Sequence, residues 1–178
     1  MTEHRHVPIE LRARGRRLEG YAATFGAEAR IAGGVVETIR PGAFAASLRS
    51  GADILALADH DPRRVLVRTR SRTLRLAEDA RGLAFDLDLP DTQAGRDVLA
   101  LAERGDLGGM SFGFNAVDDH REGMRRELRE VELIEVSVVS AFPAYEGTAV
   151  TARARPGDAP HLARALRALA IEELHRWA

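Results

Sequence analysis

The chain has 178 residues, which is the length of one domain with a sizeable core. Its 26 basic and 27 acidic residues give a formal net charge of -1 at pH 7, which argues against a nucleic-acid binder held by bulk positive charge. The absence of cysteine and lysine excludes disulfides, thiolate zinc sites, cysteine nucleophiles and lysine-based nucleophilic catalysis.

The first half of the chain predicts short strands separated by turns. Val7, Ile9 and Leu11 alternate with polar residues, which is typical of a half-buried strand, and residues 18–25 predict a hairpin partner for it. Pro62 is expected to interrupt strand pairing because it has no backbone N–H. The remaining elements predicted in this half are strands over residues 35–39, 54–58, 65–67 and 74–76 and a short helix over residues 42–48.

The second half predicts one clear helix between strands. Leu or Phe stands at every second position over residues 83–89, which indicates a strand. Thr92 can cap a helix over residues 93–104, and Gly105 is expected to end it. The last predicted elements are a strand over residues 108–116, a hairpin tip over residues 118–124 and a return strand over residues 128–139.

The composition changes near the C-terminus. We predict one domain over residues 1–152, a linker over residues 153–160 and an amphipathic helix over residues 161–178. Many short strands with two or three helices predict a mixed, mainly β fold, a mostly antiparallel barrel or sandwich with peripheral α-helices. No apolar run approaches membrane-spanning length, and the polar N-terminus predicts no secretory signal.

Ser111 and His60 stand where a nucleophile and its base could lie. Alternation along the strand puts Met110 and Phe112 on a core face and Ser111 on the opposite face, next to Gly113, whose missing side chain is expected to leave room for a substrate. A serine hydroxyl needs a base, and neutral imidazole is best suited to accept its proton. His60 directly follows an apolar strand, whereas the other histidines are assigned to a terminal arm, a loop and the appended helix, and His4 and His6 are discounted. The alternative for Ser111 is an ordinary edge-strand hydroxyl.

Glu135 is the candidate for the group that orients the imidazole. It interrupts the apolar run over residues 133–139, so on a buried face its carboxylate would be desolvated and would need a partner. That partner is either a core arginine or an imidazolium. Asp59 and Asp61 could orient His60 instead, or they could simply form the turn around Pro62.

Several segments, in this order, resemble the prohead (capsid maturation) proteases of tailed bacteriophages. The segments are Gly20-Tyr21-Ala22-Ala23-Thr24-Phe25, Ile39-Arg40-Pro41-Gly42-Ala43-Phe44, His60-Asp61, Gly82-Leu83, Gly109-Met110-Ser111-Phe112-Gly113-Phe114 and Leu133-Ile134-Glu135-Val136-Ser137-Val138-Val139, followed by Pro143-Ala144. That family is similar in fold to the herpesvirus assemblins. The resemblance therefore implies a closed, mostly antiparallel β-barrel ringed by helices.

The resemblance also implies a serine endopeptidase that uses no cofactor or metal. Matched by position, Ser111 corresponds to the nucleophile and His60 to its general base. Glu135 falls in the Glu-Val-Ser motif and is taken as the third member, with Asp61 as the alternative. The motif leaves the oxyanion donors open, and the candidates are backbone N–H groups near Gly108 and Gly109 or the side chain of Arg125 or Arg126.

The implied role is inside the immature procapsid, in the cytoplasm of a host bacterium. There the protease would cleave the scaffold or the N-terminal scaffolding segment of the major capsid protein, and also itself, with no nucleic-acid or membrane partner. The helix over residues 161–178 is predicted to be a docking or self-cleaved tail, or else to pack on the barrel. The rival functions are a non-catalytic capsid-assembly or scaffolding component and an unrelated binding module. The sequence leaves open a homo-oligomer, and it does not separate a virus from a prophage remnant or a gene-transfer particle.

Overall fold

The computed structural model describes residues 2–7 and 11–140 of the chain. Strands β1 to β11, in chain order, are Glu3–Val7, Leu11–Arg14, Arg17–Thr24, Ala29–Arg30, Val36–Ile39, Leu55–Ala58, Asp61–Arg68, Leu74–Glu78, Gly82–Asp88, Gly109–Glu122 and Arg125–Val139. Helix α1, Ala45–Arg49, joins β5 to β6, and helix α2, Gln93–Arg104, joins β9 to β10. The predicted linker and C-terminal helix lie outside the described residues. Within the described part of the chain, no helix combines the length and apolar character that crossing a membrane requires.

The strands form two sheets. The larger has seven strands in the order β1-β10-β11-β5-β4, and β6 joins it by pairing with both β11 and β7; the smaller has the order β2-β3-β9-β8. All pairs are antiparallel except those of β11 with β5 and with β6. The mainly β class is therefore confirmed. Neither of these described sheets is closed into a barrel, so the closed barrel that we expected is not confirmed.

An apolar core joins β10 to the smaller sheet and to the segment before α1. Met110, Phe112 and Phe114 are fully buried, as the alternation along the strand predicts. The Phe112 ring stacks on Phe114 with centroids 5.2 Å apart, and it meets Phe44 edge-on at 5.6 Å. Leu83 of the smaller sheet belongs to the same core. Residues 109–114 are all buried, so both faces of β10 are covered where it carries the serine.

The helix termini follow from local sequence. The Thr92 side chain accepts a hydrogen bond from Gly95 N at 3.2 Å, and Gly105 ends α2 with φ 74°, so the predicted bounds of this helix are confirmed. Helix α1 begins later than residue 42, where it was expected. Gly42 has φ 95°, which a helix cannot contain, and its N–H donates to the Glu78 carboxylate instead.

Strands β7 and β10 extend beyond their predicted bounds. β7 begins at Asp61 rather than at residue 65, but its pairing with β6 skips from Asp61 to Val65, so Pro62 interrupts the pairing as expected. β10 continues to Glu122, so the hairpin turn is far shorter than the 118–124 segment that we predicted. Beyond the core, Arg126 of β11 binds Asp119 of β10 and supports this polar extension.

Gly82→Ala is expected to destabilise the fold through a backbone clash. A Cβ at position 82 would lie 2.0 Å from Ala23 O and 2.9 Å from Thr24 Cα, and neither atom can move without disturbing the pairing of β3 with β9. We expect a loss of roughly 2–3 kcal/mol in the free energy of unfolding, measured by urea denaturation. The control is Gly105→Ala, which meets only open space and is expected to lose about 1 kcal/mol from its left-handed φ. Equal losses would contradict the clash.

Candidate active site

His60 lies in a two-residue turn that is anchored to the end of β11. Asp59 and His60 have φ of 53° and 58°, and Ala58 pairs with Asp61 across them, as in a type I′ hairpin turn. Such φ values cost a residue with a Cβ roughly 1–2 kcal/mol. The Asp59 carboxylate accepts hydrogen bonds from Ser140 N at 2.7 Å and from Ser140 Oγ at 3.1 Å. The turn is thereby fixed beside the strand that carries Glu135, and the strained conformation is of the kind that clusters at functional sites.

Glu135 is a buried carboxylate with a partner on each oxygen. It is 5% exposed and lies in the part of β11 that pairs in parallel with β6. Its Oε1 is 2.8 Å from His60 Nδ1, and its Oε2 accepts a hydrogen bond from Ser137 Oγ at 2.5 Å. Of the two partners that burial allowed, the structure shows an imidazole. When Nδ1–H donates to this carboxylate, Nε2 becomes the ring nitrogen that can accept a proton.

Asp61, the alternative to Glu135, binds a different group. Its carboxylate accepts hydrogen bonds from Arg63 N at 2.9 Å and Arg63 Nε at 3.0 Å. These bonds hold the pKa of the Asp61 carboxyl below its usual value. The two candidates therefore differ in geometry, since Glu135 contacts the imidazole and Asp61 contacts a guanidinium at the surface.

Ser111 lies on the same face of the sheet as Glu135. In the pairing of β10 with β11, Ser111 is opposite Ser137 and Gly113 is opposite Glu135, so the four positions form two adjacent pairs. Ser111 is fully buried, and its hydroxyl donates a hydrogen bond to Arg5 O at 2.8 Å. The structure thus brings His60 and Glu135 into contact. Ser111 lies two positions along β10 from Gly113, the residue opposite Glu135, and its hydroxyl proton is directed at a backbone carbonyl of β1.

Gly113 leaves space that the Glu135 carboxylate occupies. A Cβ at this position would lie 2.7 Å from Glu135 Oε1 and 3.0 Å from Cε1 and Nδ1 of His4. The gap beside Ser111, which the sequence suggested as room for a substrate, is therefore filled by two side chains of the protein itself. The sequence signal was correct in that a side chain is excluded at this position.

His4 lies at the site, so its assignment to a terminal arm is wrong. Its Nδ1 is 3.3 Å from Glu135 Oε1, and its ring meets the His60 ring edge-on with centroids 4.5 Å apart. β1 delivers it there by pairing with β10, which sets His4 opposite Gly113. Among the described residues, His4, His60 and Glu135 form the group whose ligand atoms could hold a metal ion, since these atoms lie within 4.8 Å of one another. The alternation of His4 and His6 along the sequence was the signal that could have identified His4 as a site residue.

Three of the four candidate oxyanion donors are engaged elsewhere. Gly108 N donates to Val139 O at 2.8 Å, and Arg125 binds Glu28 at 2.9 Å. The buried Arg126 guanidinium binds Glu3, Glu37 and Asp119. The Arg126 hydrogen bond lowers the pKa of Glu3 to about 2, and the same bond raises the pKa of Arg126. Arg126 therefore forms an ion-pair network with Glu3 of β1 and with Glu37, and Arg5 of β1 binds the same two carboxylates.

Comparison with known protein families gives a match over most of the chain. A family model for the caudovirus prohead serine protease matches residues 6–161. No curated protein and no solved structure matches the chain. The matched region includes Ser111, His60 and Glu135, and it begins after His4 and Arg5.

Gly113→Ala is expected to break the contact between Glu135 and His60. The atoms that a Cβ would meet are the ends of the Glu135 and His4 side chains, which can move away, whereas the backbone is not crowded. A hydrogen-bonded His60 Nδ1–H is expected to give a downfield proton resonance in the NMR spectrum of the wild-type protein. Gly113→Ala should remove this resonance, and Gly105→Ala should retain it. An unchanged resonance in Gly113→Ala would contradict this account of the carboxylate's position.

Proposed function

Because the chain belongs to the caudovirus prohead serine protease family, we propose that it is the serine endopeptidase of phage head maturation. The observation that carries the catalytic assignment is the contact of the buried Glu135 carboxylate with His60 Nδ1, on the face of the sheet that carries Ser111. A base oriented in this way is what a serine nucleophile requires.

In the proposed mechanism, Ser111 Oγ attacks the carbonyl carbon of the scissile peptide bond as His60 Nε2 takes the hydroxyl proton. Glu135 stabilises the imidazolium that forms, and Ser137 holds the second carboxylate oxygen in place. The peptide C–N bond then breaks, and His60 gives its proton to the leaving amine. Water, deprotonated by His60, attacks the acyl-enzyme; the bond between the acyl carbon and Ser111 Oγ breaks, His60 returns the proton to Ser111 Oγ, and the new carboxyl terminus is released. Of the four candidate oxyanion donors, the Gly109 N–H is retained.

The proposed substrates follow from the family's role in prohead maturation. They are the scaffold polypeptide or the N-terminal scaffolding segment of the major capsid protein, and the protease itself. The proposed place of action is the interior of the procapsid in the host cytoplasm. A non-catalytic assembly component is the second candidate, and the observation that favours it is the buried Ser111 hydroxyl, which donates to Arg5 O.

Co-expression with the neighbouring major capsid protein tests the peptidase. Wild type is expected to shorten the capsid protein, and Ser111→Ala and His60→Ala are expected to leave it at full length, as read from intact masses. The matched control is Ser137→Ala, on the same face as Ser111. It should slow cleavage by about tenfold, since Glu135 loses one hydrogen bond but the nucleophile remains. A capsid protein that stays at full length with wild type would favour the assembly component.

The C-terminal segment supplies a separate test. We propose that the amphipathic helix predicted over residues 161–178 docks the protease inside the procapsid. Deleting residues 155–178 is then expected to abolish packaging but to spare the cleavage of co-expressed capsid protein. Packaging is measured as the amount of the chain in purified procapsids. Unchanged packaging would refute the docking role.

A further inference from the structure

β1 contacts all three of the proposed catalytic residues. It pairs antiparallel with β10 from Glu3↔Phe114 to Val7↔Met110. Arg5 O accepts the Ser111 hydrogen bond at 2.8 Å, and His4 contacts both Glu135 and His60. A short edge strand therefore covers the nucleophile by main-chain pairing, which is how an extended polypeptide binds to the edge of a sheet.

We propose that this edge of β10 is the substrate-binding slot, that it takes an extended polypeptide with arginine before the scissile bond, and that β1 fills it until a substrate displaces it. The proposal rests on the proposed function, because it assigns the substrate class of the same site. It differs from a purely structural role for β1 in requiring that another peptide can take the place of that strand.

The register of β1 identifies the position that faces the nucleophile. His6 pairs with Ser111, and the Arg5 carbonyl lies 2.8 Å from Ser111 Oγ. The peptide bond between Arg5 and His6 is therefore the one presented to the hydroxyl. A substrate strand in the same register would place its residue before the cleaved bond where Arg5 lies.

The Arg5 side chain occupies a site that matches a guanidinium. Its Nε is 2.5 Å from Glu37 Oε1 and its Nη2 is 2.9 Å from Glu37 Oε2, so the planar fork binds the carboxylate through two parallel hydrogen bonds. The same guanidinium lies over the Phe114 ring, 5.3 Å from its centroid. Glu37 is only 2% exposed, which makes it a buried acidic group rather than a surface charge.

Displacing β1 leaves Glu37 in need of a replacement for Arg5. The carboxylate keeps a hydrogen bond from Arg126 Nη1 at 3.0 Å, but it loses both bonds from the Arg5 fork. A buried carboxylate that loses a partner is costly, so an incoming strand with arginine at this position is favoured. Lysine, whose ammonium is a single point charge, cannot reproduce the two-point contact or the flat contact with Phe114.

The hydrogen bond from Ser111 explains why β1 can occupy the slot without being cleaved. The hydroxyl proton points at the Arg5 carbonyl oxygen, so it is not donated to His60, and the serine is not activated in this arrangement. β1 therefore behaves as a resident occupant that a substrate must compete with.

Peptide binding tests the slot without requiring cleavage. All proteins carry Ser111→Ala. The probe is a fluorescein-labelled peptide of residues 2–7, and its binding is measured by fluorescence anisotropy. Arg5→Ala loosens the resident strand and should bind the peptide at least about tenfold tighter than the control Arg17→Ala, which removes an exposed arginine paired with Asp86 on the smaller sheet. Glu3→Gln, which weakens the Arg126 bonds and keeps Arg5, is the second variant in case Arg5→Ala fails to fold.

The peptide's own arginine tests the pocket. Replacing this arginine by lysine should weaken binding by about tenfold, and replacing it by alanine should weaken binding further. Glu37→Gln in the Arg5→Ala background should remove the preference for arginine. Equal affinity for the arginine and alanine peptides, or no binding to either loosened variant, would overturn the proposal.

Mapping the cleaved bonds in the capsid protein separates this proposal from the proposed function. Cleavage by wild type after arginine supports the pocket, and cleavage after residues of other types overturns it. If peptide binding follows the predicted pattern but wild type cleaves nothing, the slot stands and the peptidase falls. If wild type cleaves but the peptide does not bind, the peptidase stands and the slot falls.

Discussion

The site depends on one buried carboxylate. Glu135 is nearly inaccessible to water, so its charge must be stabilised by nearby donors, and the surrounding structure supplies them through His60 and Ser137. Placing the imidazole there requires a turn at positive φ, and making room for the carboxylate requires glycine at position 113. The positive φ in the turn and the glycine at position 113 both reduce the free energy of unfolding, and they allow the imidazole to be held in a fixed position.

The elements that could be predicted from sequence were those set by local rules. Helix α2 has the expected bounds because Thr92 and Gly105 act through their own neighbours. The alternation along β10 likewise predicts which face is core. The length of the β10–β11 hairpin was misjudged, because cross-strand ion pairs extend it and they are not visible in a local pattern. The closed barrel came from a family resemblance and was not confirmed for the described sheets.

The candidate site could be predicted from the sequence only in part. Ser111, His60 and Glu135 stood out because each interrupts or ends an apolar pattern. His4 did not, because its place at the site depends on the pairing of β1 with a strand more than a hundred residues later. Once the pairing of β1 with β10 is known, His4, the buried Glu37 and the ion pairs of Arg126 are all seen to lie against β1 or to hold it. Because these contacts hold β1 over Ser111, access to the nucleophile depends on the charges that keep this strand in place.

Covalent labelling of the serine tests the central claim most directly. The wild-type chain is incubated with diisopropyl fluorophosphate, and adducts are located by intact mass and peptide mapping. An activated Ser111 predicts one adduct, on Ser111, that is lost in His60→Ala and forms faster when Glu3→Gln loosens β1. Labelling at another serine, or no labelling even with β1 loosened, would contradict a catalytic Ser111.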